Sequence, residues 1–198
     1  MMKDFIIASV GGQGGLLATT VLASVFVAQG ADVKTSEVHG MAQRGGTVTS
    51  YVRRGEKVYS PVVPKGEGDL ILGLELLEAY RELPSLRSGG IVLTSDEAIS
   101  PVPVNMGDAV YPELGTKSFL QRAGRAYLVP ALTIARQAGN SRTSNIAMLG
   151  ALSVLLDAAE DPPLEIWEAE VSRLVPKRTV EVNLTAFRAG REWMAKHR

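Results

Sequence analysis

The spacing of apolar and polar positions changes several times along the chain, and the changes mark out its elements. Asp4 to Val10 is a short apolar run that predicts a strand covered on both faces. A glycine turn follows, and then an uncharged stretch from about Gly14 to Gln29 that predicts a buried helix. Asp32 to Glu37 predicts a short second strand. Thr47 to Arg54 alternates β-branched and polar residues and turns at Arg54-Gly55-Glu56, so with Lys57 to Val63 it predicts a β-hairpin. Asp69 to Gly73 predicts a buried strand leading into a helix near Glu75 to Leu83, and Gly90 to Thr94 the next strand, after a loop at Pro84 to Gly89. Ser95 to Gly115 carries Pro101, Pro103 and Pro112 with little periodicity, which predicts loop with a short extended piece at Ala109-Val110-Tyr111.

The C-terminal third reads as helical around one last strand. A helix over Thr116 to Ala123 stops at Gly124, Ala126 to Val129 is extended, and Pro130 to Ala138 is a helix with proline in its first turn and Gly139 as its cap. Thr143 to Ala159 is apolar on nearly every side. Leu164, Trp167, Val171 and Leu174 share a helical face that Pro176 ends, and a final helix from about Val180 to Lys196 carries Leu184, Phe187 and Trp193. Strands alternating with helices around a glycine turn define an α/β class, a Rossmann-like three-layer sandwich with a mostly parallel, mixed sheet and a helical C-terminal third. The apolar faces with Trp167, Phe187 and Trp193 are expected either to pack inside the chain or to meet another subunit or a second copy.

Composition narrows the chemistry. Lysine plus arginine (21) equals aspartate plus glutamate (21), so no global positive field draws in a nucleic acid. There is no cysteine, which removes disulfides, a thiol nucleophile, iron–sulfur ligation and cysteine-based zinc sites from this chain. His39 and His197 are its two histidines, and no metal site is expected. Phe5 to Ala31 is 27 residues without a charge, long enough on paper to span a bilayer. Gly11-Gly12-Gln13-Gly14-Gly15 would break such a helix, and Met1-Met2-Lys3-Asp4 lacks the positive charge of a secretory signal, so neither membrane nor export is expected and the chain reads as cytoplasmic.

Two segments carry candidate chemistry. Successive glycines at Gly11, Gly12, Gly14 and Gly15 let backbone N–H groups approach an anion, and the following helix points its positive end at the same spot. Ser9 stands where a dinucleotide fingerprint has its first glycine, while Glu37 lies at the spacing of a ribose-binding carboxylate. A turn that merely packs helix on strand, or meets a partner chain, explains the glycines equally well. The second segment, Ser36 to Gly46, crowds Glu37, His39, Gln43 and Arg44 into a glycine-bounded loop after the second strand, where α/β folds place ligands. Arg44 suits a phosphate or carboxylate, Gln43 an amide or hydroxyl, and His39 a proton transfer. The bland alternative has His39 capping the loop and Arg44 pairing with Glu37.

Gly11-Gly12-Gln13-Gly14-Gly15, the run from Glu37 through His39-Gly40-Met41-Ala42-Gln43-Arg44-Gly45-Gly46, Asn145 with Leu149-Gly150-Ala151-Leu152, and Pro176-Lys177 with Val182-Asn183-Leu184, Ala186-Phe187 and Gly190 resemble the gamma-type subunit of 2-oxoacid:ferredoxin oxidoreductases along essentially the whole chain. Ser9 departs from that pattern, which usually has a further glycine there. The resemblance implies one gamma-type domain over residues 1–198. It also implies part of an enzyme that decarboxylates a 2-oxo acid oxidatively, an aryl acid such as indolepyruvate or else pyruvate, 2-oxoglutarate or a branched-chain acid, with coenzyme A as co-substrate and ferredoxin as electron acceptor. A thiamine signature is missing, Gly66-Glu67-Gly68 being the nearest approach, with no Asn-Asn pair after it. Thiamine diphosphate and [4Fe-4S] clusters are therefore expected on partner subunits, with Gly11 to Gly15, Glu37, His39, Gln43, Arg44, Gly45 and Asn145 facing cofactor, substrate or partner. A stand-alone nucleotide-binding module is the competing class.

Overall fold

The computed structural model describes residues 3–40, 45–156 and 162–198. Six strands form one sheet, β1 (Asp4–Val10), β2 (Asp32–His39), β3 (Thr47–Gly55), β4 (Gly68–Gly73), β5 (Leu86–Ser95) and β6 (Arg125–Val129), in the order β2-β3-β1-β4-β5-β6. Strand β3 runs antiparallel to both neighbours, and β1, β4, β5 and β6 are parallel, so the sheet is mixed and mostly parallel. The helices are α1 (Gly15–Ala28), α2 (Leu76–Arg81), α3 (Val102–Asn105), α4 (Thr116–Leu120), α5 (Ala131–Gln137), α6 (Ser144–Leu155), α7 (Leu164–Leu174) and α8 (Val180–His197).

Alternate residues of the central strands bury on opposite faces, which is why these strands read as unbroken apolar runs. Phe5, Ile7, Leu70, Leu72 and Leu93 point into one core with α1 and α5 to α8, while Ile6, Ala8, Ile71 and Val92 point into a second, smaller core with α2 and Phe119 of α4. The uncharged run from Phe5 to Ala31 is strand plus helix, and no helix among the described residues is long and apolar enough to cross a membrane. Inside α1 the hydroxyls of Thr19 and Thr20 donate to the carbonyls of Gly15 and Leu16, so these polar side chains need no outside partner.

Helices α6 and α8 cross at two glycines. A methyl on Gly150 would stand 2.0 Å from the carbonyl oxygen of Phe187, and one on Gly190 would stand 2.0 Å from that of Ala147. The missing side chains let the two backbones touch. Trp167 and Phe187 are wholly buried against each other, ring centroids 5.6 Å apart, so they are core of this chain and cannot meet another subunit. Trp193 is half-buried and stacks on His197.

Several expected elements differ. The hairpin pairs β2 with β3, and Lys57 to Val63 forms no strand. Pro61 interrupts that segment, which hangs on side-chain bonds instead: Arg53 donates to the carbonyls of Ser60 and Val62, and the Val58 N–H to Asp32. Strand β5 starts at Leu86 rather than Gly90, because Leu86 is buried and pairs with Gly68 across a register shift. The segment after β5 includes the single turn α3, and Ala109 to Tyr111 joins no sheet. Helix α4 ends at Leu120 and α6 at Leu155, earlier than expected, while residues 157–159 of the longer predicted helix lie outside the described residues.

Candidate functional site

The ends of β1 and β2 and the start of β3 lie at one rim of the sheet, where the parallel strands finish. There the two glycine segments are bonded together: the Gly11 N–H donates to the Gly46 carbonyl at 2.8 Å, and the Gly45 N–H to the Gly11 carbonyl at 3.3 Å. Gly12 (φ 107°) and Gly14 (φ 81°) occupy the left-handed region, which a side chain disfavours. Gln13 clamps the loop. Its oxygen accepts from the Val10 N–H at 2.9 Å, and its amide donates to the Leu74 carbonyl at 3.0 Å and to Glu97 at 3.4 Å, tying the ends of β1, β4 and β5 together. The Asn145 amide donates to the Gly14 carbonyl at 3.1 Å, and a methyl on Gly14 would meet that amide nitrogen at 2.4 Å. Ser9 fills the space beside Gly15, where a methyl would meet its hydroxyl at 2.5 Å.

Glu37 and His39 stand apart from this loop. Both lie on the edge strand β2, where His39 Nε2 meets Glu37 Oε1 at 2.6 Å and the Ser50 hydroxyl donates to Glu37 Oε2 at 2.9 Å. Because β3 lies between β2 and β1, Glu37 is two strand spacings, about 9.6 Å, from β1. A dinucleotide fold has those two strands adjacent, so the spacing in sequence that suggested a ribose-binding carboxylate does not produce that geometry. Gln43 and Arg44 lie outside the described residues.

Beside the glycine loop is a cleft of about 560 Å³, lined by Gly12, Gln13, Gly14, Glu97, Arg142 and Asn145 among others. Neither Glu97 nor Arg142 lies in the two glycine segments. Glu97 follows β5 by two residues, and the rule that ligands gather beyond the carboxyl ends of parallel strands points to it. Arg142 sits in the tight turn before α6, whose Asn140 side chain accepts from the Arg142 N–H. Burial pushes the Glu97 carboxyl above its usual range, the Gln13 hydrogen bond opposes this, and the nearby Glu75 and Asp96 push it further up. The cleft thus opposes two fields. The N-terminus of α1, capped by no side chain, favours an anion, and the acidic group disfavours one. Among the described residues no cluster of three His, Asp or Glu could hold a metal. A larger cavity of about 990 Å³ opens at the other end of the sheet around Arg54, whose guanidinium lies 4.1 Å from the Phe26 ring centroid, away from both glycine segments.

The mixed sheet and the bonded glycine rim define an α/β fold, and its 198 residues include no cysteine. The chain belongs to the pyruvate ferredoxin/flavodoxin oxidoreductase family, whose model matches residues 4–193. It is 39% identical over 198 residues to the indolepyruvate oxidoreductase subunit IorB of Thermococcus kodakarensis, an alignment covering 96% of this chain and 95% of that one. It is 30% identical over 188 residues to the ketoisovalerate oxidoreductase subunit VorA of Methanothermobacter thermautotrophicus, covering 94% of this chain and 35% of that longer one. Its fold matches the crystal structure of the gamma subunit of a keto/oxoacid ferredoxin oxidoreductase from Geobacter sulfurreducens, with a TM-score of 0.71 at 22% identity over 98% and 99% of the two chains.

Proposed function

We propose that this chain is the cluster-free subunit of a cytoplasmic thiamine diphosphate-dependent 2-oxoacid:ferredoxin oxidoreductase acting on an aryl 2-oxo acid such as indolepyruvate. The observation that carries the reading is the match, nearly end to end, to IorB at 39% identity. The reaction consumes a 2-oxo acid anion, coenzyme A and two oxidised ferredoxins, and yields acyl-CoA, CO2, one proton and two ferredoxins reduced by one electron each.

The residues present do not fit the cofactors. There is no cysteine for a cluster, and no thiamine signature or acidic metal-binding group for a diphosphate among the described residues. No step through thiamine or a cluster is therefore assigned to this chain, which is inactive alone. Its part is to shape the approach to the partner's cofactor. The rim supports this role: Gln13 and Asn145 hold the glycine loop rigidly, leaving the uncapped N-terminus of α1 and Arg142 as the groups that meet an oxygen of coenzyme A or substrate. Arg44 and Gln43, which follow the bonded Glu37–His39 pair in the sequence, are assigned the same task, an oxygen of coenzyme A or substrate or else the partner's surface.

Co-expression with the thiamine- and cluster-bearing subunit, followed by viologen reduction dependent on 2-oxo acid and coenzyme A, tests the reading. Activity with indolepyruvate above that with pyruvate, 2-oxoglutarate or branched-chain acids is expected. A complex active only on one of the latter overturns the substrate alone, and no complex at all overturns the whole. An Arg44→Ala chain that leaves both acyl-CoA formation and assembly unchanged removes Arg44 from the role given to it.

A further inference from the structure

On the edge strand β2 an imidazole is held by two residues that the glycine loop does not use. Glu37 and His39 are two apart on β2, so their side chains stand on one face of the sheet, and the register places Ser50 of β3 beside Glu37 on that face. Both oxygens of the Glu37 carboxylate are engaged: Oε2 accepts from the Ser50 hydroxyl at 2.9 Å, and Oε1 meets His39 Nε2 at 2.6 Å. Exposure rises along this series. Ser50 is buried, while the side chains of Glu37 and His39 are 20% and 57% exposed. The carboxylate at Nε2 places the proton of the neutral ring there and leaves Nδ1 as its acceptor. His39 is the last residue of β2, at the rim where the glycine segments meet, and the Gly40 N–H after it donates to the Thr47 carbonyl at 2.9 Å. A surface ion pair on an edge strand contributes little and needs no third residue. A buried hydroxyl that fixes a carboxylate, which in turn fixes a ring, is the arrangement that orients a proton acceptor.

The reaction proposed above releases one proton, and its origin can be traced. The 2-oxo acid enters as an anion and its carboxylate leaves as CO2, so the acid supplies none. The sulfur of coenzyme A enters as S–H and ends bonded to the acyl carbon, so the released proton is the thiol's. The two electrons of the oxidation go to the ferredoxins. At pH 7 a thiol of ordinary acidity is ionised in about one molecule in thirty, so a base that takes its proton as the carbon–sulfur bond forms raises the rate. Imidazole suits this task, because it is the side chain that changes charge between pH 5 and 8. The chain has two histidines, and the other, His197, lies at the end of α8 with its Nδ1 against the Trp193 carbonyl at 2.7 Å.

We infer that His39 receives the thiol proton of coenzyme A. Nδ1 takes the proton as the sulfur's electron pair bonds the acyl carbon, and the imidazolium, paired with Glu37, passes it to water from its exposed side. Glu37 and Ser50 are positioning residues, holding the ring and its tautomer. The inference rests on the function proposed above and adds the residue that moves the proton.

The test uses the enzyme assembled with its thiamine- and cluster-bearing subunit, with acyl-CoA formation followed at pH 7 and saturating 2-oxo acid. His39→Ala should lower kcat at least tenfold and leave the KM for coenzyme A within about threefold. CO2 release in a single turnover without coenzyme A should be unchanged, since the thiol takes no part in it. Added imidazole should raise the variant's rate at least threefold, and the deficit should shrink toward about pH 8.5, where half the thiol ionises unaided. Glu37→Gln should lower kcat at least threefold and gain nothing from imidazole, because the ring is still present. His39→Gln, whose amide reaches toward Glu37, is read in place of His39→Ala if the latter does not assemble. With the wild type active, variants of His39 within twofold of its kcat overturn the inference and leave the function standing. CO2 release that falls as far as acyl-CoA formation, a deficit untouched by imidazole and high pH, or failure of both His39 variants to assemble makes the pair structural and also overturns it. A wild-type complex that forms no acyl-CoA from any 2-oxo acid overturns both readings.

Discussion

Replacing Gly150 with alanine sets two effects of known size against each other. On an exposed helix the change stabilises by about 1 kcal/mol, because alanine has the better helix propensity. Here the added methyl would stand 2.0 Å from the Phe187 carbonyl oxygen, 2.9 Å from its carbon and 3.1 Å from the Arg191 nitrogen. A carbon–oxygen contact relaxes at about 3.3 Å, so α6 and α8 must part by roughly 1.3 Å where they cross. The obstacle is backbone on a helix and cannot rotate aside. Overpacking of this kind costs typically ~1–3 kcal/mol and occasionally more, and with backbone on the receiving side the upper end applies. The net expectation is destabilisation by about 2 kcal/mol, which for a chain of this size lowers the melting temperature by roughly 4–8 °C. Urea unfolding followed by circular dichroism measures it, with the midpoint shifting and the slope unchanged. A midpoint at or above the wild-type value refutes the reasoning, since propensity would then have outweighed contact. Gly190→Ala acts on the same crossing, so the double variant should lose less than the sum of the two.

Glu78 is buried, its pKa is raised by that burial, and its Oε2 has no hydrogen-bond partner, although Thr47 and Arg81 pull the pKa back down. A folded pKa above the unfolded value favours the protonated fold, a contribution present below the unfolded pKa and lost as pH rises through the folded one. Glu78→Gln should therefore flatten the fall in stability above pH 4.5 and gain most at neutral pH, checked by urea midpoints across pH; an identical pH profile counts against it. Gly14→Ala combines φ 81° with displacement of the Asn145 amide, and should cost about 2 kcal/mol and speed hydrogen exchange in residues 10–16, whereas Gly89→Ala, at φ 73° with nothing nearby, should cost only about 1 kcal/mol. Gln13→Ala breaks bonds to the ends of β1, β4 and β5, and should loosen exchange there while the assembled enzyme loses activity more than the chain loses stability.

The strands and most helices were legible because their signals are local. Phe5 to Val10 is apolar since both faces of β1 are covered, and Pro176 stops a helix wherever it falls. What was not legible depends on partners distant in sequence. The sequence points to the nearest turn, Arg54-Gly55-Glu56, because a turn is a signal of a few residues, whereas β3 pairs with β1 through partners from Val10↔Thr47 to Asp4↔Arg53, about forty residues apart. Glu97 gives no sign in sequence of meeting Gln13, 84 residues away. Gly150 and Gly190 are visible in the sequence as motif positions, but their reason, two carbonyls with no room beside them, exists only once α6 lies on α8.

The same distinction decides how the glycine rim is read. In the sequence the four glycines and the following helix argue for a phosphate, because backbone N–H groups and a helix terminus are visible without any neighbour. The fold adds the neighbours. Gln13 takes up the Val10 N–H and bonds to Glu97, Asn145 takes up the Gly14 carbonyl, and Ser9 occupies the space against Gly15. Much of the loop's bonding capacity is spent inward, on joining β1, β4, β5 and α6, and the carboxyl of Glu97 stands in the remaining cleft. A phosphate there would meet the helix end and Arg142 on one side and an acid on the other, so binding of a highly charged group is self-opposed unless Glu97 is protonated, a state its burial favours. Anion affinity of the isolated rim should accordingly rise as pH falls toward the Glu97 pKa, and in Glu97→Gln it should be higher at neutral pH and less dependent on it, measured by calorimetric titration with pyrophosphate. If the variant binds no more tightly than wild type at neutral pH, the opposing charge is not what limits the site, and the glycines serve packing alone.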